Sequence, residues 1–503
     1  MDSTLRVEGS TITSATPTTT AMPAPTMLAR AFRRQDPEGH DLPPSPTPSS
    51  PRSGKKYALA TDLVYTEHGD QHNSSSMPIY QVSPCSIPIY SLVFIYLFIY
   101  LHHPSEIHSY PFCPLLDFVP YSLTWLLKNP PPVCCPPRQT ATFKQTSARP
   151  LDGAYDYTRS GNPTRSHLER HLSKITQSHR TLVVSSGMAA MDVITRLLSP
   201  GDHVIAGDDL YGGTNRLLKY LSTHSGIIVH HVDTSNPMSS LPPVLSEEPT
   251  RLKLVLLESP TNPLIKICDI PLISSLVHAA NPDALVVVDN TMLSPYLSNP
   301  LQLGADVVYE SGTKYLSGHH DIMAGVLYTD SPVVASRLAF TINASGCALS
   351  PFDSWLLLRG IKTLSVRLEK QQASAQRIAH FLESTCGFKV HYPGLLSHPQ
   401  YDLHARLARG AGAVLSFETG DIAMSEKIVE NTRIWAISVS FGCVNSLISL
   451  PCAMSHASID RKIREERGLP ENLIRLCVGI EEYVTSFSLF LSRKANRMIV
   501  STT

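Results

Sequence analysis

Between Thr140 and about Glu481, apolar runs of strand length alternate with helical patterns. "TLVVSSGMAAMDVITRLLSPGDHVIAG", "RLKLVLLESPTNP", "DALVVVDNT" and "ADVVYESGTKYLSG" each read as a strand, a loop, then a helix or the next strand. Unbroken Val/Ile/Leu runs predict strands covered on both faces, which marks a mostly parallel sheet in an α/β domain. After about Pro351 the pattern changes. "WLLLRGIKTLSVRLEKQQASAQRIAHFLEST" predicts one long helix, and "GAVLSFET" and "WAISVSFG" predict strands. This is a second, smaller α+β domain. No internal repeat is visible.

The front of the chain does not share this pattern. Residues 1–54 are rich in Thr, Ser and Pro and cannot bury enough apolar surface to offset their ordering entropy, so a disordered tail is expected. "MLARAFRRQ" within it is short, basic and slightly amphipathic, which leaves an organelle transit peptide open. Residues 55–81 read as an N-terminal arm. Residues 82–139 change register again and contain the most apolar run of the chain, Ile87–Leu101.

Length and charge narrow the picture. The 503 residues suffice for two or three domains with real cores. Lys+Arg and Asp+Glu are both 42, so bulk charge recruits neither nucleic acid nor an acidic membrane. The ten cysteines form no CxxC pair and no Cys/His ligand spacing, which fits reduced thiols better than a disulfide framework. Cys443 and Cys452 read as small packed thiols. His319-His320-Asp321 reads as structural, and no metal is expected.

Ligands of open α/β sheets sit beyond the carboxyl ends of the strands. The residues that follow each predicted strand are therefore the candidates. Ser185-Ser186-Gly187-Met188 opens a helix and can present bare N–H groups to a phosphate, although such a start is often only a cap. Tyr211 lies in the Gly-flanked "DDLYGGT", where a turn aromatic is the plainer reading. Ser259-Pro260-Thr261-Asn262-Pro263 is a loop fixed by prolines. Asp289 ends "ALVVVD", where a carboxylate is either half buried or paired with a cation. Lys314 follows "ADVVYE" in Ser311-Gly312-Thr313-Lys314. A lysine at the end of a buried strand is poorly solvated, so its pKa falls and it becomes a candidate Schiff-base nucleophile. A lysine for an aldehyde, an acid for a pyridinium nitrogen, a helix start with hydroxyls for a phosphate and a tyrosine face for a ring together fit pyridoxal 5′-phosphate (PLP).

"YDYTRSGNPTRSHLERHL", "SSGMAAMDVI", "DDLYGGT", "ESPTNPL", "VVDNT", "ESGTKYLSGHHD" and "SVSFGCVNSL" resemble the Cys/Met-metabolism family of PLP enzymes, the trans-sulfuration enzymes. The resemblance covers about Tyr57–Gln81 and Thr140–Glu481. It implies the aspartate-aminotransferase-like fold (fold type I), with a mostly parallel seven-stranded sheet in a large domain, 140–350, and a small domain, 351–481. It implies a homotetramer built from dimers that share active sites. Lys314 would join the cofactor aldehyde and later move protons. Asp289 would pair with the pyridinium nitrogen, and Tyr211 would stack on the ring. Gly187 and Met188 N–H groups, with Ser311 and Thr313, would hold the phosphate. Tyr157 and Arg159 would reach the phosphate of the neighbouring subunit. Arg475 would clamp the substrate carboxylate, with Ser440 and Asn262 in support.

The wording "SFGCVNSLISLPC" and "HNSSSMPIYQ" looks most like fungal-type cystathionine β-lyases, which points to β-elimination of a small amino-acid substrate, cystathionine, in the cytoplasm. Asn445 stands where many relatives carry an acid, which argues further against γ-elimination or γ-synthesis. Those γ reactions are the alternative within the class.

The family wording also isolates the odd segment. It runs "PIYQ" straight into "TATFKQ", and here Val82–Gln139 intervenes. An apolar run of about fifteen residues falls short of the roughly 20 needed to span a bilayer. A long apolar insertion loop is an aggregation hazard. A translated intron fits otherwise: "QVS" can be encoded with a consensus donor site, and "PPPVCCPPRQ" with a pyrimidine tract ending in CAG. Residues 482–503 depart from the family in the same way and read as an aberrant tail. Were the insert genuine, a membrane-associated or inactive family member is the competing reading.

Overall fold

The computed structural model describes residues 138–143, 145, 155–432, 434–457 and 459–482. The disordered tail, the arm, almost all of the insert and residues 483–503 lie outside them.

The larger part begins with α1 (Pro163–Thr176), β1 (Arg180–Val184), α2 (Gly187–Thr195), β2 (His203–Gly207) and α3 (Gly212–His224). It continues with β3 (Ile228–Val232), α4 (Pro237–Glu247), β4 (Leu252–Glu258), α5 (Ile270–Ala280) and β5 (Leu285–Asp289). It closes with α6 (Ser294–Leu297), β6 (Val307–Ser311), β7 (Gly325–Thr329) and α7 (Pro332–Ser345). Several helices start where the sequence supplies a capping side chain and a proline. Asn162 accepts from the Thr164 N–H ahead of Pro163, and Ser331 accepts from Val334 N–H ahead of Pro332.

Seven strands form one sheet in the order β1-β7-β6-β5-β4-β2-β3. Only β7 runs against its neighbours. The carboxyl ends of β1, β2, β4, β5 and β6 therefore share one edge, and that edge collects every loop flagged from sequence. Alternate residues of each strand bury on opposite faces: Leu254, Leu256 and Val287 on one, Val255, Leu257 and Val288 on the other. Two-sided burial is why these strands read as continuous apolar runs.

The smaller part holds α8 (Pro351–Ile361), α9 (Leu364–Ser384), β8 (Lys389–His391), α10 (Tyr401–Leu407), β9 (Val414–Glu418) and α11 (Ile422–Asn431). It ends with β10 (Ala436–Ile437), β11 (Leu447–Ser449), α12 (Arg461–Glu466) and β12 (Leu473–Cys477). Its sheet runs β10-β11-β12-β9-β8, antiparallel except for the β10–β11 pair. One apolar cluster runs without a break from Val288 and Val308 in the large sheet to Phe417 and Ile474 in the small one.

Two expectations need correction. The single long helix is two, α8 and α9, broken at Lys362–Thr363. Gly360 presses on the Leu316–Ser317 backbone, where an added Cβ would lie 2.3 Å from the Ser317 carbonyl oxygen. "WAISVSFG" gives only the two-residue β10, because the carbonyls of Val439 and Ser440 bond Arg475 rather than a neighbouring strand.

Candidate active site

Five strand ends and one strand of the small sheet supply the candidate residues beyond the carboxyl edge. Lys314 comes from the turn after β6. Its Nζ donates to the Ser440 hydroxyl at 2.7 Å and lies 5.2 Å from the Phe441 ring centroid. Burial, and then the Arg475 charge, push its pKa down to about 8. Gly442 makes this approach possible: its φ is +83°, and an added Cβ would lie 2.9 Å from Lys314 Cβ.

Arg475 projects from the middle of β12 and is 2% exposed. One Nη donates to Asn262 Oδ1 at 3.0 Å, and the other to the carbonyls of Val439 and Ser440 at 2.9 and 3.0 Å. Its Cζ stands 5.6 Å from the same Phe441 ring. Among the described residues it forms no ion pair, so a buried guanidinium awaits an anion.

Asp289 ends β5 beside Glu258 of β4 and Tyr309 of β6. The Thr291 N–H donates to Asp289 Oδ1 at 2.9 Å, and the Thr291 hydroxyl donates to the same oxygen. Burial raises the Asp289 pKa despite these bonds, and burial together with the Asp289 charge raises Glu258 well above the carboxylate range. No lysine or arginine among the described residues forms a salt bridge with either. A cationic ring nitrogen would restore the ionised form of Asp289.

α2 starts directly against the end of β6. An added Cβ on Gly187 would lie 2.9 Å from Ser311 Cβ and 3.2 Å from Ser311 Oγ. The Ser186 side chain caps only the Ala189 N–H, at 3.0 Å. The N–H groups of Gly187 and Met188 thus have no acceptor within the helix, and the Ser311 hydroxyl lies beside them. Thr291 fixes this corner by accepting the Ser311 N–H at 2.8 Å. Thr313 is engaged elsewhere: its hydroxyl donates to the Ala324 carbonyl at 3.3 Å and accepts the Ala324 N–H at 3.0 Å.

Tyr211 stands at the N-cap of α3 and is 41% exposed, and its ring lies so close over Gly213 that a Cβ there would fall 2.5 Å from the ring. Tyr157 and Arg159 do not join this cluster. Arg159 lies over the Tyr157 ring at 5.2 Å and donates to Asn343 on α7 at 3.3 Å. Asn445 is exposed, and its carbonyl accepts from the Cys443 thiol at 3.1 Å. His319 bonds the Ser317 carbonyl, and no group of three or more metal-binding side chains gathers among the described residues. Cys443 and Cys452 are buried.

Sequence reasoning missed Thr291, Glu258, Phe441 and Gly442. Thr291 sits two residues after a flagged acid and Gly442 two after a flagged serine, so proximity was a usable signal for both. Glu258 and Phe441 also adjoin flagged residues, but their importance lies in what faces them across the fold, which adjacency does not reveal.

The donor set fits PLP: an amine with depressed proton affinity, an uncompensated carboxylate, a helix start with bare N–H groups and a free-standing arginine. Fold and site together define an α/β enzyme of amino-acid chemistry built around an aldehyde cofactor. The family model for Cys/Met metabolism PLP-dependent enzymes matches residues 131–485. A Neurospora crassa cystathionine β-lyase is 59% identical over 460 residues, covering 92% of this chain and 87% of the relative. A cystathionine β-lyase from Saccharomyces cerevisiae is 52% identical, over 66% of this chain and 75% of its own. Among solved structures, a cystathionine γ-lyase from Lactobacillus plantarum complexed with L-serine aligns with TM-score 0.68 and 35% identity, over 73% of this chain and 94% of that one. The chain belongs to the Cys/Met metabolism PLP-dependent enzyme family. It is a PLP-dependent lyase of fold type I.

Proposed function

We propose that this chain catalyses β-elimination of L-cystathionine to homocysteine, pyruvate and ammonia. The carrying observation is the pair formed by Lys314, held at 2.7 Å by Ser440, and the buried Arg475 without a carboxylate partner, in a chain whose β-lyase relative is 59% identical. Bound at the site, PLP supplies an aldehyde for the substrate amine and an electron sink for charge left on the α carbon. Lys314 Nζ takes the α proton, and its pKa of about 8 leaves a useful neutral fraction near neutrality. The C–S bond at the β carbon then breaks, and the sulfur leaves with a proton as homocysteine. Water completes the remaining three-carbon fragment to pyruvate and ammonia. Arg475 grips the α-carboxylate through its two-nitrogen fork, and Asn262 and Ser440 hold that fork in place. Asp289 keeps the ring nitrogen charged, Tyr211 covers the ring, and Gly187, Met188 and Ser311 take the phosphate. Thr313 contributes to the phosphate site only if its hydroxyl turns away from Ala324.

Tyr157 and Arg159 face outward beside α7 and serve the site of a neighbouring subunit, in a homotetramer of dimers. The enzyme works in the cytoplasm. No helix among the described residues is long and apolar enough to cross a membrane, although two plant relatives are named chloroplastic.

Val82–Gln139 is not part of the working enzyme. Arg138 reaches the folded body through its backbone alone: its N–H donates to Thr164 Oγ1 at 3.1 Å, and its carbonyl accepts from Asn162 at 2.9 Å. After excision Tyr80-Gln81 precedes Thr140 and can offer the same backbone groups. Transcript reads running unbroken through codons 82–139 in the dominant message would sink this point. The decisive assay incubates PLP-loaded protein, with and without Val82–Gln139, with L-cystathionine. Pyruvate and homocysteine are expected. 2-Oxobutyrate and cysteine would instead assign γ-elimination.

A further inference from the structure

Two loops beyond the carboxyl edge hold each other crosswise. Residues 208–211, between β2 and α3, carry Tyr211. Residues 259–265, after β4, carry Asn262. Asp209 on the first loop accepts the Leu264 N–H of the second at 3.1 Å. Glu258, at the root of the second, accepts the Tyr211 N–H of the first with both carboxylate oxygens, at 2.9 and 3.1 Å. Both carboxylates are buried, and neither has a salt-bridge partner among the described residues. A third tie comes from His456, 1% exposed, which bonds the Asn262 carbonyl at 3.1 Å and also the Leu210 backbone. The Lys266–Asp208 ion pair, 3.0 Å, closes the outer rim.

A buried acidic group without a salt-bridge partner is costly unless hydrogen bonds satisfy it. Each accepts an N–H that would otherwise be stranded in a water-poor loop. The consequence reaches the chemistry. The Glu258 bond fixes the backbone of Tyr211, whose ring covers the cofactor. The Asp209 bond fixes the loop whose Asn262 holds the Arg475 fork.

We propose that Asp209 and Glu258 are positioning residues that form a reciprocal clasp, so that the ring-covering Tyr211 and the Arg475–Asn262 carboxylate clamp are set as one unit. This rests on the roles given above to Tyr211 and Arg475. Loosening either carboxylate loosens both loops. The clasp acts on substrate placement rather than on proton transfer at Lys314.

The test uses PLP-loaded wild-type, Asp209→Ala, Glu258→Ala and double-variant protein. Backbone amide exchange is read at Tyr211 and Leu264 without substrate. Each single variant is expected to speed exchange at both amides, including the one its own side chain does not touch. KM for cystathionine is expected to rise about tenfold, with a smaller change in kcat, and the double variant to be no worse than the more severe single one. Exchange that speeds only at the variant's own partner amide, or losses that multiply in the double variant, would overturn the clasp. Should an alanine variant fail to fold, Asp209→Asn and Glu258→Gln replace it: each trades one acceptor oxygen for an N–H donor, so exchange is expected to speed at both amides in the same pattern but by less, and no change at the remote amide would overturn the clasp. The exchange readout needs no substrate, so an error in the product assignment leaves it standing.

Discussion

Lys314 is a lysine that holds its proton poorly, and the cause is legible at the level of single groups. It lies beneath Ser440 and Phe441, within reach of the Arg475 charge, and its pKa falls from 10.5 to about 8. The sign of the linked stability follows. Between pH 8 and 10.5 the unfolded chain binds more protons at this site than the native one, so native stability rises with pH across that window. In the apoenzyme, where the amine is uncapped, Lys314→Met is expected to flatten this rise, by up to on the order of 3 kcal/mol at neutral pH in favour of the variant. Denaturant melts of the two apoproteins at pH 7 and pH 10 check it, and parallel pH profiles would show that the amine is solvated. Lys314 and Asp289 were legible as candidates because each follows or ends an apolar run, whereas Arg475 entered only through the family resemblance. The sequence could not reveal Glu258, which matters only because β4 and β5 set it beside Asp289.

At the scale of elements, the proposed phosphate site is a contact between a helix start and a strand end. Ser186 gives α2 its cap, and Gly187 lets the helix meet Ser311 of β6 with no side chain between them. Gly187→Ala inserts a Cβ 2.9 Å from Ser311 Cβ, closer than real Cβ contacts allow. The helix start must retreat, at a cost of about 1–3 kcal/mol. The expected outcome is PLP affinity weakened about tenfold with product identity unchanged, measured by cofactor titration of the apoenzyme. Unaltered PLP affinity would move the phosphate site elsewhere. The strands of this layer were legible because two-sided burial writes itself as unbroken apolar runs. The break between α8 and α9 was not, because Gly360 answers to the Leu316–Ser317 backbone, far away in sequence. β10 is short for the same kind of reason: the segment after it bonds a side chain, Arg475, in place of a strand.

For the whole molecule the question is what one chain leaves incomplete. Lys314, Asp289, Tyr211 and Arg475 lie beyond one edge of the sheet, while Arg159 bonds Asn343 of α7 and stacks over Tyr157, both exposed. If those two serve a neighbour's site, then Arg159→Ala and Lys314→Ala, each inactive alone, complement one another when subunits exchange. Half of the mixed population pairs unlike chains, and each such pair rebuilds one intact site, so about a quarter of full activity should return. Mixing followed by a lyase assay checks this. No recovery, with subunit exchange shown by differential tagging, would place Arg159 outside catalysis.

By itself the sequence determined the α/β class, the sheet edge on which the candidate residues lie, and a lysine and an acid as candidates for the cofactor. These follow from patterns that a few neighbouring residues can write: burial period, capping, and a charge at the end of an apolar run. Tertiary structure alone decided which groups face one another. It set Glu258 beside Asp289, Phe441 near both Lys314 and Arg475, the Thr313 hydroxyl on Ala324, and Asn445 at the surface. Those relations depend on strand register and on crossings such as the one that brings Lys314 to Phe441, and no local pattern encodes them.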